Sequence, residues 1–267
     1  MADEQPQVKL YWLNQSRAQN IVWLLEELGV KYDVEVFHRN KQTMLAPKEL
    51  QAVHPLGKSP VVEVTPPGGG APIRLAESGF IVQYLTDHFP EGARLVPPRW
   101  KSGRENTVGG ETDAWMRYAY LLHYVEGSFF PVLTMSLVMS VFKSPRVPFF
   151  IRPITSMVAD QIIAAVVAPN AKRNLGMLET FLETVPGGGS YICGDSLTAV
   201  DILLSFALIA AEDRFDNMAK FDKGSAKETY PRVFEYIARL KQEPGYKRST
   251  DKIREIDGDF QATISSK

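Results

Sequence analysis

Two short groups of residues in the first third of the chain carry the clearest chemical signal. Ser59 and Pro60 precede a β-branched run, and Glu77 and Ser78 precede a helical pattern. Proline cannot donate within a sheet, so we predict a cis Ser59–Pro60 bond that turns the Ser59 backbone outward, toward an extended peptide. Glu77 offers a carboxylate to an ammonium group, and the amides of a helix N-terminus suit a carboxylate. Together these groups predict a site for a small charged peptide.

The elements that would hold these residues follow from the hydrophobic pattern. The pattern predicts strands at 8–13, 32–37, 61–65 and 73–75 and helices at 18–28, 47–53 and 77–88. Ser16 is placed as the N-cap of the first helix, and Gly29 ends it. The order β-α-β-α-β-β-α predicts a four-stranded mixed sheet with helices on both faces, the arrangement of the thioredoxin fold.

The second half of the chain has a helical pattern throughout. We predict helices at 107–142, bent near Gly127 and Pro131, at 154–185, broken at Pro169, at 198–212 and at 231–242. The third of these begins with a capping box formed by Thr198 and Asp201. The predicted domains are a thioredoxin-like domain at 8–91, a linker at 92–106, an all-helical domain at 107–245 and a polar surface extension at 246–267.

Composition restricts the class of protein further. A chain of 267 residues suits two domains, and a net charge of −1 gives no field that would attract nucleic acid. The single cysteine, Cys193, excludes an internal disulfide and suits a reducing compartment, so we expect a cytoplasmic protein. The uncharged run 127–142 is too short to span a bilayer. We interpret this run as core or pocket wall, in preference to a surface in peripheral contact with a membrane.

Several kinds of catalytic centre are missing from the sequence. It has no phosphate-binding loop, no Rossmann glycine fingerprint, no His-Glu-x-x-His pair and no Gly-x-Ser-x-Gly elbow. The four histidines are scattered without the spacing of metal ligands, and no metal site is predicted. Any catalysis would therefore take its reactive group from a bound ligand.

The stretch HPLGKSPVVEV, followed by LAESGFIVQYL, resembles the glutathione-binding half of a glutathione transferase. The stretches YWLNQSRAQNIVWLLEELG, YVEGS and SLTAVDILLSF resemble the same family, and most closely its fungal, yeast-type branch. The resemblance runs from about Val8 to about Lys247 and implies a thioredoxin-like domain followed by an all-helical domain. It also implies a homodimer, for which Phe80, Gln83 and Tyr84 would supply packing across a two-fold axis.

The activity implied by the resemblance is conjugation of the glutathione thiolate to small electrophilic hydrophobic compounds, as in detoxification. Glutathione would be a co-substrate, and no metal would be needed. Two alternatives remain open at this point: a glutathione-dependent peroxidase or disulfide reductase, and a non-catalytic binding protein of the same fold.

The family's glutathione-binding residues carry over to positions of this chain. Ser59, which precedes Pro60, would pair its backbone with the cysteinyl part, and Glu77 and Ser78 would hold the γ-glutamyl end. Lys58 and, less directly, His54 are near enough in sequence to reach a carboxylate. Many plant members hold the glycyl carboxylate with a His-Lys pair, and the corresponding positions here are Met44 and Leu45. Arg39 or Lys41 would have to replace that pair.

The residue that activates the thiol stays open among three candidates. Ser16 ranks first because it lies where the first strand gives way to the first helix, with the positive charge of Arg17 beside it. Asn14 ranks second and Tyr11 third, since each matches the position of the activating residue in another branch of the family. For Ser16, a plain helix cap is the competing role.

Overall fold

The computed structural model describes residues 5–260, and these form two compact units. The first comprises the described residues up to Pro98, Leu197–Phe206 and the described residues from Leu240 onward. The second comprises Arg99–Ser196 and Ala207–Arg239. The predicted domains were each continuous in sequence, whereas both compact units are assembled from separate segments.

The first unit is built on a four-stranded sheet, as predicted. Its strands are β1 (Gln7–Leu13), β2 (Tyr32–Phe37), β3 (Val61–Thr65) and β4 (Ile73–Ala76), and its first helices are α1 (Ala18–Leu28), α2 (Leu50–Val53) and α3 (Ser78–His88). The strand order is β2-β1-β3-β4, with β1 parallel to β2 and antiparallel pairing elsewhere. The β1 and β3 strands bury nearly continuous apolar runs because they are the central strands.

The register of the sheet brings the two chemically distinctive pairs together. Val61 lies opposite Tyr11 on one side and opposite Ala76 on the other. Because β3 and β4 are antiparallel neighbours, Ser59 and Pro60, which precede β3, lie at the same end of the sheet as Glu77, which follows β4.

The remaining elements are helices. They are α4 (Asp113–Tyr124), α5 (Phe130–Phe142), α6 (Arg152–Ile162), α7 (Ala168–Glu183), α8 (Ala199–Ala211), α9 (Phe215–Met218), α10 (Ala226–Thr229), α11 (Pro231–Gln242) and α12 (Pro244–Asp257). At the start of α8, the Asp201 carboxylate accepts hydrogen bonds from the backbone N–H and the hydroxyl of Thr198. The predicted reach-back bond of a capping box is therefore present.

Most of the chain after residue 245 is not the polar surface extension that the sequence predicted at 246–267. Residues 244–257 form the amphipathic helix α12, which packs on α1 through an edge-to-face contact between Tyr246 and Trp23 at 5.2 Å. Gly245 permits the close approach, since a Cβ there would lie 1.7 Å from the Glu27 carboxylate. The polar composition misled the prediction because only one face of the helix is apolar. Residues 261–267 of the predicted extension, like residues 1–4, lie outside the described range.

The two prolines expected to bend or break the long helical patterns do not interrupt them. Residues Arg152–Glu183 form one continuous helix, so the predicted break at Pro169 is wrong. Pro131 and Pro169 each lie at the first turn of a helix that directly follows a π-helical turn, Val125–Phe129 and Ile163–Val167 respectively. Proline lacks the N–H for an interior helical bond, and the wider turn before it removes the need for that bond.

Most of the uncharged run 127–142 is not core, which corrects the first half of its interpretation as core or pocket wall. Phe129 is buried, but none of the 13 residues of α5 is buried. The run resembles a core helix in composition, and only the packing reveals that its neighbours cover it in part without burying any residue of α5.

Candidate active site

One cleft in the first unit collects most of the predicted site residues. It is lined by Arg17, His54, Leu56, Lys58, Ser59, Pro60, Ala76, Glu77 and Ser78. All six residues predicted to contact a peptide ligand, together with Arg17, therefore share one concave surface. Leu56 and Ala76 were not predicted, because an apolar residue in a loop or strand carries no chemical signal of its own.

Ser59 presents its backbone to the cleft while its side chain serves the fold. The Ser59–Pro60 bond is cis, as predicted. The Ser59 hydroxyl is buried and donates to the Tyr11 carbonyl oxygen at 3.0 Å. Within residues 5–260, neither the N–H nor the C=O of Ser59 makes a backbone hydrogen bond. A donor and an acceptor are thus free to pair with an extended ligand.

Glu77 lines the same cleft with its carboxylate unused. Its φ of 70° places it in the left-handed region, and it precedes α3 without capping the helix through its side chain. Among the described residues the Glu77 carboxylate has no ion-pair or hydrogen-bond partner, and the residue is exposed. The hydroxyl oxygen of Ser78, the next residue, is buried and has no hydrogen-bond partner among the described residues. These groups suit an ammonium and a carboxylate of one ligand.

The other polar residues of the cleft are basic. Lys58 is exposed and Arg17 is half-buried, and both line the wall with His54. One ring nitrogen of His54, Nδ1, accepts the Leu56 N–H at 3.4 Å, so this histidine is partly committed to its own turn. In the described part of the chain, no group of three or more His, Cys, Asp or Glu side chains could hold a metal ion.

Tyr11, the third candidate for thiol activation, points away from this chemistry. Its hydroxyl donates to the Glu63 carboxylate at 3.3 Å, and the ring lies beneath the Lys9 ammonium at 5.0 Å. Burial, with the negative charge of Glu63 in addition, raises the pKa of Tyr11. A phenol whose proton is held in this way is a poor donor to a thiolate elsewhere.

Ser16 and Asn14 flank the turn between β1 and α1, and neither lines the cleft. The residue at the N-cap of α1 is Arg17, not Ser16 as predicted, and its side chain makes no capping hydrogen bond. Ser16 is 5 % exposed, and its hydroxyl oxygen still accepts a first-turn amide, the Ala18 N–H, at 3.2 Å. That bond uses the oxygen as acceptor and leaves the hydroxyl proton available for donation. The Asn14 side-chain oxygen accepts the Arg39 N–H at 2.8 Å, which ties this turn to the end of β2.

Arg39 has a role that the sequence did not indicate. Its guanidinium donates to the carbonyl oxygens of Asn14, Met44 and Gln15 at 3.1–3.3 Å. Burial lowers the pKa of Arg39. Gln15 and Met44 both have positive φ, at 53° and 60°, so the cation holds two residues in an unfavourable backbone region.

The suggestion that Arg39 or Lys41 replaces the family's carboxylate-binding pair is not supported by this arrangement. The Arg39 donors are engaged by backbone carbonyls, and neither Arg39 nor Lys41 lines the cleft. Lys58 and Arg17 are the cations that do line it. No local signal in the sequence distinguishes a cation that meets a ligand from one that meets the protein's own carbonyl groups.

Comparison with known proteins identifies the family. Residues 6–87 match the profile described as glutathione S-transferase, N-terminal domain, and residues 150–248 match glutathione S-transferase, C-terminal domain. The chain is 32 % identical over 255 residues to a Saccharomyces cerevisiae protein named Glutathione S-transferase 1. That match covers 96 % of this chain and 99 % of the yeast protein.

Solved structures agree with this match. A glutathione S-transferase from Actinobacillus pleuropneumoniae is 29 % identical, with a TM-score of 0.62 and 92 % of each chain covered. A glutathione transferase homolog from Lodderomyces elongisporus, solved with two GSH per subunit, has a TM-score of 0.64 at 19 % identity and shares the fold. That alignment covers 91 % of this chain and 97 % of the homolog. The chain therefore belongs to the glutathione transferase family of enzymes.

Proposed function

We propose that this enzyme conjugates the glutathione thiolate to small electrophilic hydrophobic compounds, as a detoxifying transferase does. The observation that carries the proposal is that two polar groups without hydrogen-bond partners line one cleft. The Ser59 backbone and the Glu77 carboxylate have no partners among the described residues, and they face the same space. A tripeptide with an ammonium group at one end and a backbone to pair in its middle satisfies both.

The bound glutathione would run along the cleft from Glu77 toward the basic residues. The γ-glutamyl ammonium would meet Glu77, and its carboxylate would meet Ser78 and the free amides at the start of α3. The cysteinyl backbone would pair with Ser59. The glycyl carboxylate would lie near Lys58, with His54 as the second cation of that wall.

Ser16 would activate the thiol. A free thiol has a pKa near 8.5, and lowering it by about two units takes roughly 2.7 kcal/mol of preferential stabilisation of the thiolate. The Ser16 hydroxyl proton, the first turn of α1 and the Arg17 charge together supply interactions of that order. Asn14 is the second candidate, because its amide NH₂ has no hydrogen-bond partner in the described part of the chain.

A conjugation assay with an activated chloroarene tests the proposal. The thiolate attacks the ring carbon, a C–S bond forms, the C–Cl bond breaks, and chloride leaves with its electron pair. We expect glutathione-dependent release of one chloride for each thioether formed. Oxidation of two glutathione molecules by a hydroperoxide, without thioether formation, would instead assign the enzyme to the peroxidase alternative.

The proposal extends to assembly and location. Phe80 and Gln83 are exposed on α3, and Tyr84 lies between Phe80 and His88 in a row of ring contacts. An exposed aromatic row of this kind supports a two-fold interface between copies of this chain. The single free cysteine, which is buried, suits the reducing conditions of the cytoplasm.

A further inference from the structure

The second unit has a polar cavity of its own between two of its helices. We define the α7–α11 cavity by the end of α7, the turn 186–190 and one face of α11. Leu182 and Val185 line it from the α7 side, and Gly189 and Ser190 line it from the turn. It shares no lining residue with the candidate cleft, and the proposed conjugation makes no use of it.

The α11 helix supplies the charged side chains of the cavity. They are Arg232, Glu235 and Arg239. The Arg232 guanidinium pairs with the carboxylates of Glu179 and Glu183 on α7 at 3.3 and 3.2 Å, so its charge is already offset. One carboxylate and one guanidinium, four residues apart on α11, are therefore left to act on a ligand.

Glu235 and Arg239 do not neutralise one another. A glutamate four residues before an arginine normally favours an ion pair on a helix surface. Here Arg239 donates instead to the Ser190 carbonyl oxygen through one guanidinium nitrogen. Among the described residues the Glu235 carboxylate has no hydrogen-bond or ion-pair partner, and the other N–H groups of Arg239 have no acceptor. The cavity thus presents an unpaired carboxylate close in sequence to a guanidinium with unused donors.

The turn 186–190 adds backbone donors to the cavity. The N–H groups of Gly189 and Ser190 make no hydrogen bond within residues 5–260. Gly189 packs directly on the backbone of Gly194, where an added Cβ would lie 2.2 Å from the carbonyl carbon, so the turn is held in place. Two successive amides and a guanidinium are suitable donors for a carboxylate.

We propose that the α7–α11 cavity binds a free α-amino acid with an apolar side chain. The ammonium group of the ligand pairs with Glu235. Its carboxylate accepts hydrogen bonds from Arg239 and from the amides of the turn. Leu182 and Val185, which are both half-buried, contact the side chain of the ligand.

The charges of the cavity disfavour other small ligands. A phosphate ester would place its negative charge against Glu235, and a metal ion would meet two guanidinium groups with one unpaired carboxylate to hold it. Glutathione carries the same ammonium and carboxylate groups at its γ-glutamyl end. The rest of the tripeptide is polar, however, so the apolar wall of Leu182 and Val185 favours a free apolar amino acid.

Calorimetric titration of the full-length protein with L-leucine tests this inference. N-Acetyl-L-leucine, which lacks the ammonium group, and L-leucinamide, which lacks the carboxylate, are the matched probes. The variants are Glu235→Gln and Arg239→Gln, with thermal melts to show that each is folded. Asp213→Asn and Arg173→Gln are control variants, because both residues are exposed charges of the second unit that do not line the cavity. The L-leucine titration is repeated in saturating glutathione.

We expect wild type to bind L-leucine with a Kd of about 1 mM or lower, and each probe at least about ten-fold more weakly, because each probe lacks one charge-assisted contact. Glu235→Gln should bind L-leucine about ten-fold more weakly than wild type and should lose the preference for L-leucine over N-acetyl-L-leucine. Arg239→Gln should lose the preference over L-leucinamide. The control variants should behave as wild type, and glutathione should leave the affinity for L-leucine unchanged.

Three results would overturn the inference. The first is absence of L-leucine binding by wild type, and the second is equal binding of L-leucine and N-acetyl-L-leucine. The third is L-leucine binding that survives Glu235→Gln but is lost in glutathione, which would place the amino acid in the candidate cleft. Binding that is lost both in Glu235→Gln and in glutathione would assign the cavity to the γ-glutamyl group instead of a free amino acid.

Discussion

The candidate cleft, called here the peptide end, and the neighbouring segment of Tyr11 and Ser16, called here the thiol end, differ in what their polar groups already do. Neither Tyr11 nor Ser16 lines the cleft. At the peptide end, the Ser59 backbone and the Glu77 carboxylate have no partners within the described chain. At the thiol end, Tyr11 donates to Glu63 and Ser16 accepts a helix amide. Polar groups that line a cleft without hydrogen-bond partners indicate a ligand site, whereas polar groups with partners inside the protein indicate a structural role. The peptide end therefore offers unused groups to a ligand, whereas the groups of the thiol end are already used in part by the protein itself.

The largest expected effect is on the peptide end. Glu77→Ala should weaken glutathione binding by about ten- to hundred-fold, since a hydrogen bond to a charged group contributes about 1.5–3 kcal/mol. Titration calorimetry with glutathione measures this loss. Glu49→Ala is the control, because Glu49 is an exposed carboxylate of the same unit that does not line the cleft. Equal affinities for both variants would remove Glu77 from the binding site.

The turn at the thiol end should depend on Arg39. Arg39→Met leaves the carbonyl oxygens of Asn14, Gln15 and Met44 without their donor and should lower the free energy of unfolding by about 2 kcal/mol. The conjugation rate should fall more than the affinity for glutathione, because the cation supports the turn and does not line the cleft. Denaturant unfolding and steady-state kinetics provide the two readouts, and Lys41→Met in the same loop is the control. If glutathione affinity fell as far as in Glu77→Ala, Arg39 would belong to the peptide end.

The variant Ser16→Ala distinguishes a role of the Ser16 hydroxyl in helix capping from a role in activating the thiol. Loss of the cap should cost about 1 kcal/mol of stability in either case. If the hydroxyl also stabilises the thiolate, the pKa of bound glutathione should rise, so that the conjugation rate falls at neutral pH and largely recovers at high pH. A pH–rate profile of wild type and variant, with thermal melts, checks both effects. A lowered melting temperature with an unshifted profile would restrict Ser16 to capping, and Asn14→Ala would be the next variant.

The smallest effect is expected at Tyr11. Tyr11→Phe should cost about 0.5 kcal/mol near neutral pH and leave the pH–rate profile unchanged. Because the folded pKa of Tyr11 is raised by burial, its contribution to stability is present below about pH 10 and is lost as pH rises further. The variant should therefore lose less stability than wild type in strongly alkaline solution, as unfolding at two pH values would reveal. A shifted pH–rate profile would instead make this phenol a thiol activator.

Local pattern was sufficient for much of this protein. The apolar run 8–13 and the β-branched run 61–65 predicted the central strands, and the antiparallel step to β4 placed Ser59 beside Glu77. The long helices between residues 113 and 242 were also predicted, because apolar periodicity over a dozen or more residues is a strong signal. The short helices α9 and α10 and the C-terminal helix α12 were not predicted. The resemblance of several stretches to the glutathione transferases then predicted glutathione as the ligand of this arrangement.

Tertiary structure alone decided which groups are available and which surfaces are covered. Arg39 and Lys58 are both basic residues in loops, yet one is engaged by three carbonyl groups and the other lines the cleft. Residues 246–257 are polar yet form part of a helix packed on α1, and α5 is apolar yet buries none of its residues. Burial and hydrogen-bond partners are set by residues distant in sequence, so a local pattern predicts an element but not what lies against it.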